Sequence, residues 1–330
     1  MTIRLGFSGA GYIARIHATA AQALGASVAA VASHREEGRA GFAQQFGVER
    51  QHARLEDLLA AGEVDALVIC TPNALHAPQA ILALEAGIPV LVEKPMAINA
   101  AEAERMADAA DRTGVPLMVA HCWRFDAEAR WLRSRIVEGQ VGRPIRTRGY
   151  GVHVNWGPKG WFTQAALAGG GALVDMGIHA VDTARFLLGD PSPVDVYARI
   201  GTNYGAMDVD DTGQLLVTWD GGATSYIEFG WRQPHADGPE AATQVYGTGG
   251  YGRLYPTHLE RPGLEREDPG FVFPREPHCL PSMYEVQLRA FLAAVRTGQV
   301  QHAGPRIGVD NMRILDAAVA SARSGEVVHL

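Results

Sequence analysis

The sequence predicts an α/β protein in two parts. A doubly wound parallel sheet is expected over residues 1–121, followed by an α+β domain over 122–330 with a large, mostly antiparallel open sheet. Three observations lead to this. Up to about residue 120, short and fully apolar β-branched runs alternate with helical patterns, as they do where helices cover both faces of a parallel sheet. Beyond about residue 122 the strand-like segments alternate apolar with polar residues, the mark of strands with one wet face. A chain of 330 residues with 47% apolar and 20% charged side chains can also bury two separate cores.

In order, "IRLGFSG" reads as the first strand and "YIARIHATAAQAL" as the first helix. "SVAAVAS" is a strand, and "REEGRAGFAQQFG" and "LEDLLAAG" are helices. "VDALVICTP", "HAPQAILALEAG" and "PVLVEKP" follow as strand, helix and strand, and "NAAEAERMADAADRTG" with "VPLMVAH" closes the first part. In the second part, "PIRTRGYGVHVNW", "VDVYARIGT", "DTGQLLVTWDGGATSYIEFGWR" and "ATQVYGTGGYGRLY" supply alternating strands, with a hairpin turn at Asp220, Gly221 and Gly222. "LVDMGIHAVDTARFLLG", "EVQLRAFLAAVRTG" and "GVDNMRILDAAVASARSG" are its helices. The stretch from Arg261 to Pro281, rich in glycine, proline and mixed charge, reads as a long surface loop.

A formal charge of -7 argues against nucleic acid or an anionic membrane as partner. No apolar run approaches the roughly 20 residues of a membrane span. Glycines interrupt "MTIRLGFSGAGYIA" too early for a signal peptide. Cys70, Cys122 and Cys279 show neither pairing nor CxxC spacing, so a reducing, cytoplasmic setting is expected.

"GFSGAGYIA" places Gly9, Gly11 and Ala14, with Tyr12 and Ile13 between them, in the G-x-G-x-x-G/A pattern. It follows the first strand and opens a helix, the setting in which a Rossmann fold binds the pyrophosphate of a dinucleotide on helix N–H groups. A glycine-rich turn without a ligand is the plainer alternative. The second strand ends at Ser33, His34 and Arg35 with no carboxylate for the ribose of NAD; a hydroxyl and a guanidinium suit a 2'-phosphate. NADP is therefore the expected cofactor, with NAD as the alternative, although Glu36 and Glu37 follow closely.

Two further strand ends carry polar residues where such sheets meet their ligands. "TPNALH" supplies Thr71, Pro72, Asn73 and His76; "VLVEKP" supplies Glu93 and Lys94. "GGGALVDMGIHAVD" opens with three glycines that would let substrate approach the backbone. It continues as an apolar helix with Asp175, His179 and Asp182 at i, i+4 and i+7, on one face. Each feature alone also has a bland reading, as a surface turn or a satisfied core pair. Asp182 reads as a structural partner. The remaining histidines, His17 and His153 among them, show no metal-ligand spacing, so no metal is expected.

With these motifs in this order, the chain resembles the glucose–fructose oxidoreductase, inositol dehydrogenase and MocA (Gfo/Idh/MocA) family. The resemblance runs nearly end to end, through "MYEVQLRAFLAAVRTG" and "DAAVASARSGEVVHL". It implies an NAD(P)-dependent oxidoreductase acting on a sugar, polyol or related hydroxyl compound, with Lys94, Asp175 and His179 as the catalytic residues. "HCWRF" matches the segment joining the two domains and "NWGPKGWF" a variable pocket stretch, so Trp123, Arg124, Asn155, Lys159 and Trp161 become candidate substrate contacts; Trp156, Trp231 and Tyr251 are weaker ones. His179 suits proton transfer, since its ordinary pKa of about 6.5 lies near working pH. Lys94 would stabilise negative charge on the reacting oxygen, and Asp175 would orient a substrate hydroxyl. The broad second sheet implies a homodimer or homotetramer. A glycosidase that borrows NAD and a non-catalytic dinucleotide sensor are the rival functions.

Overall fold

The computed structural model describes residues 2–234, 240–272 and 281–330. Its first half alternates β1 (Arg4–Ser8), α1 (Tyr12–Ala23), β2 (Ser27–Ala32), α2 (Glu36–Phe46), β3 (Arg50–His52), α3 (Leu55–Ala60), β4 (Ala66–Ile69), α4 (His76–Glu85), β5 (Val90–Glu93), α5 (Ala100–Thr113) and β6 (Leu117–Ala120). The strands form one sheet in the order β3-β2-β1-β4-β5-β6, every pair parallel. This is the expected doubly wound sheet. Its order reverses between β1 and β4, so ligands are expected beyond the carboxyl ends of these strands. Leu5, Phe7, Val31, Leu67, Ile69, Leu91 and Val92 are fully buried in it. The edge strand β3 escapes a reading by periodicity because its three residues, Arg-Gln-His, are polar and mostly exposed.

The second half contains α6 (Ala127–Val137), β7 (Pro144–Val154), α7 (Ala165–Ala168), α8 (Ile178–Leu187), β8 (Pro193–Gly201), β9 (Thr212–Trp219), β10 (Thr224–Gln233), β11 (Ala241–Gly247), β12 (Tyr251–Leu254), β13 (His258–Glu260), α9 (Pro281–Thr297), α10 (Pro305–Ser324) and β14 (Val328–His329). Its sheet runs β13-β12-β11-β7-β10-β9-β8-β14. All pairs are antiparallel except β7 with β10, so the sheet is mixed at its centre. The β9–β10 hairpin turns where expected: Trp219 N–H donates to Ala223 O at 2.9 Å, and Gly222 takes a φ of +76°. On one sheet face Val245 joins Leu132, Ile136, Leu187, Leu254 and Leu259 in a buried cluster. Each such side chain stabilises the fold by about 1.5–3 kcal/mol on burial. On the other, Gln244, Arg148, Tyr226, Leu216 and Tyr197 lie in register across five strands.

The helix α6 has no counterpart in the expected elements. Asp126 starts it, its carboxylate accepting the N–H groups of Glu128 and Ala129 at 2.9 and 3.2 Å. Part of the expected 261–281 loop is tied down: Leu259 bridges to Glu267, and Glu267 pairs with Arg135 and Arg261. His235, His278, Cys279 and the rest of that loop lie outside the described residues.

The chain divides into two compact units, Met1–Cys122 with Pro281–Val309, and Trp123–Leu280 with Asp310–Leu330. The expected second domain, 122–330, therefore gives up 281–309 to the first unit. Contacts explain the transfer. The Tyr284 ring meets the His17 ring edge-on at 5.3 Å, and Val119 N–H donates to Ala303 O at 2.9 Å. Gly308 lies so close to Met96 that an added Cβ would sit 2.6 Å from its sulfur. Among the described residues no helix is long and apolar enough to cross a membrane.

Candidate active site

In the first unit, the turn from β1 to α1 is shaped for close backbone approach. Gly9 has a φ of +96°, and a Cβ there would lie 2.5 Å from the Cys70 carbonyl oxygen. Only glycine fits. Gly11 caps α1; a Cβ on it would meet nothing within 4 Å, and the first turn of the helix has neither a side-chain cap nor an acid. Its N–H groups are thus left for an anion. Ala14 is buried against the sheet, Ile13 is half-buried and Tyr12 is exposed. These features fit a dinucleotide pyrophosphate.

At the end of β2, the Ser33 carbonyl accepts Arg39 Nη1 at 2.6 Å, while Arg35 stands exposed just before α2. Glu36 and Glu37 occupy the first turn of α2, where the helix dipole favours acids. Arg39 was not among the sequence candidates, although it lies one turn beyond Arg35 on the same helix.

The other two strand ends are more inward than expected. Thr71 Oγ1 and Ser8 Oγ both donate to Gln79 Oε1, at 3.0 and 2.9 Å. Pro72 precedes a short 3-10 turn that begins at the buried Asn73. His76 is buried, its Nδ1 2.9 Å from Pro95 O and its Nε2 2.9 Å from Thr71 O. A neutral ring donates to one of them, and burial, partly offset by these carbonyls, lowers its pKa. His76 therefore ties the 71–76 turn to the Lys94–Pro95 turn from within. Glu93 is likewise committed inside the protein. Its Oε1 is 2.7 Å from His17 Nε2, and its Oε2 accepts the Lys94 N–H at 3.1 Å. His17, on the buried face of α1, gave no sequence signal beyond being a histidine. Burial, with the nearby Glu93 charge, pushes the Cys70 thiol well up. Lys94 itself follows directly on β5, half-buried.

In the second unit the glycine stretch behaves differently from the expectation. Gly169 ends α7 with a φ of +79°. Gly171 packs on the chain's own backbone: a Cβ there would lie 1.8 Å from Asp210 O. Asp210 also accepts the N–H groups of Gly171 and Leu173 at 2.8 and 2.7 Å. At Gly171, then, the missing side chain makes room for the Asp210 segment rather than for substrate.

The helix is not continuous either. Leu173–Gly177 is a π-helical turn, which then runs into α8. Its wider turn removes the simple α-helical face shared by Asp175, His179 and Asp182. Each now has its own surroundings. Asp175 Oδ2 accepts the Trp231 indole N–H at 2.9 Å and lies 3.5 Å from His153 Nε2. His179, 7% exposed, stacks on Trp123 with ring centroids 4.4 Å apart and planes 14° from parallel. Asp182 is buried against Arg124, which donates to it through Nε and Nη2, and against Asn311 Nδ2 at 2.7 Å.

Arg124 is accordingly a buried strut. Its Nη1 is 2.7 Å from Asp190 Oδ1, and these carboxylates, working against burial, raise its pKa further. Trp123 is buried as the partner of His179, and Trp231 as the donor to Asp175. Asn155 and Lys159 are exposed, and Trp161 stacks on Phe162 at 3.9 Å. Tyr251 pairs instead with Tyr246, at 5.1 Å. Sequence reasoning missed Glu240 and gave His153 no role; both reach this group of residues only through pairing between distant segments.

Residues 3–121 match the oxidoreductase family with an NAD-binding Rossmann fold, and 129–253 match the GFO/IDH/MocA C-terminal domain. The 1,5-anhydro-D-fructose reductase of Ensifer adhaerens is 30% identical over 335 residues, spanning 99% of this chain and 98% of that protein. The rhizopine catabolism protein MocA of Rhizobium meliloti is 33% identical over 251 residues, 75% of this chain and 77% of its own. Among solved structures, GenD2 from gentamicin A biosynthesis in complex with NAD superposes with a TM-score of 0.87 at 27% identity, covering 100% of this chain and 96% of that one. Sheet order, glycine turn and both halves of the sequence agree: the chain belongs to the Gfo/Idh/MocA family of oxidoreductases.

Proposed function

We propose that the protein is an NAD(P)-dependent dehydrogenase or reductase of a sugar, polyol or related hydroxyl or keto compound. The observation that carries this reading is the Asp175–His179 pair of the second unit. One carboxylate is anchored by an indole and one imidazole is stacked on a tryptophan, in a chain whose other unit has an uncapped glycine turn. The relatives named above, a sugar reductase among them, support the substrate class. The dinucleotide, when bound at 9–14, supplies or accepts the hydride. In the oxidative direction His179 takes the hydroxyl proton of the substrate as its carbon loses the hydride; in reduction it returns that proton. Lys94 stabilises the negative charge gathering on the same oxygen, and Asp175 orients a substrate hydroxyl.

NADP is the preferred cofactor in this proposal and NAD the alternative. Support comes from Arg35 and Arg39 flanking Ser33, two guanidiniums suited to a 2'-phosphate. The open face carrying Arg148, Tyr226, Leu216 and Tyr197 supports association into a homodimer or homotetramer, which light scattering after size-exclusion checks.

A panel of sugars and polyols with both cofactors, read by nicotinamide absorbance, tests the activity. Turnover that disappears in His179→Ala while cofactor binding persists supports it. Unchanged turnover in His179→Ala refutes the role of His179. Cleavage of a nitrophenyl glycoside without net cofactor turnover favours the NAD-borrowing glycosidase, and cofactor binding with no turnover at all favours a sensor.

A further inference from the structure

The second unit holds a row of charged and aromatic side chains that the proposed reaction leaves without a role. His153, near the end of β7, stands between two carboxylates. Its Nδ1 is 3.2 Å from Glu240 Oε2, and its Nε2 is 3.5 Å from Asp175 Oδ2. The carboxylates lie at opposite ring nitrogens and so do not converge on a common point, as metal ligands would. Glu240 is itself anchored: Oε1 accepts the Val154 N–H at 3.0 Å and the Trp156 indole N–H at 2.8 Å. That indole stacks on the His153 ring with centroids 3.7 Å apart.

A neutral imidazole donates at one nitrogen only, so both contacts become hydrogen bonds only when the ring carries two protons. Burial opposes the charged ring, but the hydrogen bonds and charges of Asp175 and Glu240 outweigh it, and the imidazole pKa is raised. For Glu240, burial is outweighed by His153, Val154 and Trp156, and its pKa is lowered. The π turn contributes Asp175 and the segment before β11 contributes Glu240. Neighbouring β10 contributes Trp231 and Arg232, whose Nη1 is directed to Tyr204 O at 3.3 Å.

The backbone next to this row is strained. Asn155 and Arg232, neither a glycine, take φ values of +60° and +55°. They are locked by Asn155 N–H to Gln233 O at 3.0 Å and Arg232 N–H to Trp156 O at 2.7 Å. Such conformations are costly for residues with a Cβ and persist where surrounding contacts over-determine them. Here those contacts hold Trp156 against His153.

We infer that His153, clamped by Glu240, is a positioning residue that aims the Asp175 carboxylate at the substrate. This rests on the proposed role of Asp175. The distinguishing observation is that Asp175 accepts the Trp231 indole N–H and faces His153 Nε2 at 3.5 Å, side chains that come from β10 and β7.

A double-mutant cycle on the full chain tests the inference. His153→Gln is expected to lower kcat/KM about tenfold in the wild-type background and less than about twofold in Asp175→Asn, because a residue acting through another loses its effect once that other is gone. Equal losses in both backgrounds, or no loss in the first, overturn it. A second readout needs no turnover: the imidazole carbon–proton resonance of His153, identified by its absence from His153→Gln, is expected to titrate at higher pH in the wild-type protein than in Glu240→Gln. A titration midpoint that does not fall in Glu240→Gln overturns the clamp whether or not a substrate has been found. A folded protein that turns over no alcohol or ketone counts against the oxidoreductase assignment instead, and the spectrum still decides the state of His153. Should His153→Gln not fold, His153→Asn takes its place in the cycle and in the assignment of the resonance.

Discussion

Replacing Asp182 with alanine isolates the energetics of a deeply buried ion pair in the second unit. The side chains of Arg124 and Asp182 are 5% and 2% exposed. Arg124 Nε lies 2.9 and 2.8 Å from the two Asp182 oxygens, and its Nη2 lies 2.7 Å from Oδ1. Asn311 Nδ2 donates to the same Oδ1. Removing the carboxylate leaves a guanidinium and an amide donor in a space that water does not reach. Breaking one side of such a pair costs about 3–5 kcal/mol. Asp190, 2.7 Å from Arg124 Nη1 and 22% exposed, stays in place and keeps part of the compensation. The expected loss is therefore about 3 kcal/mol, which for a unit of this size lowers Tm by roughly 6–12 °C. Differential scanning calorimetry of the wild-type and Asp182→Ala proteins measures it. Asp182→Asn keeps the shape and one acceptor oxygen, so it should lose less. A loss below about 1 kcal/mol in the alanine variant, or a larger loss in the asparagine one, would refute the strut.

Gly171→Ala forces a Cβ to within 1.8 Å of Asp210 O, so backbone must move, and a destabilisation of at least about 1–3 kcal/mol is expected in urea unfolding. Gly9→Ala meets both a left-handed φ and the Cys70 carbonyl; titration calorimetry should show weakened dinucleotide binding, and unchanged affinity would remove the 9–14 turn from the cofactor site. His76 has a folded pKa below its unfolded value of about 6.5, so the folded state binds fewer protons and stability falls as pH drops from about 6.5 toward that lower value. His76→Asn should narrow the difference in unfolding free energy between pH 7.5 and pH 5.5; an unchanged difference would mean that the ring is not held neutral.

The sequence by itself determined the elements whose cause is local. The apolar runs of β1, β4, β5 and β6, the helices between them, the glycine turn before α1 and the Asp220–Gly222 hairpin follow from side-chain period and backbone freedom within a few residues. Lys94, Asp175 and His179 were legible as candidates because motif spacing is also local. Tertiary structure decided everything that depends on which distant segments meet. Amphipathic spacing shows that α9 buries a face, but only contact with His17 assigns it to the first unit. Arg124 and Trp123 are adjacent in sequence, yet one braces Asp182 and Asp190 while the other stacks on His179. The π turn arises where Asp210 seizes the N–H groups of Gly171 and Leu173, a hydrogen bond across about forty residues that no periodicity encodes. The same holds for Glu240, His153 and Asp175, which come from the segment before β11, from β7 and from the π turn and meet only in space. Hydrogen bonds and burial depend on spatial neighbours, and a local pattern carries no record of which neighbours the chain will bring.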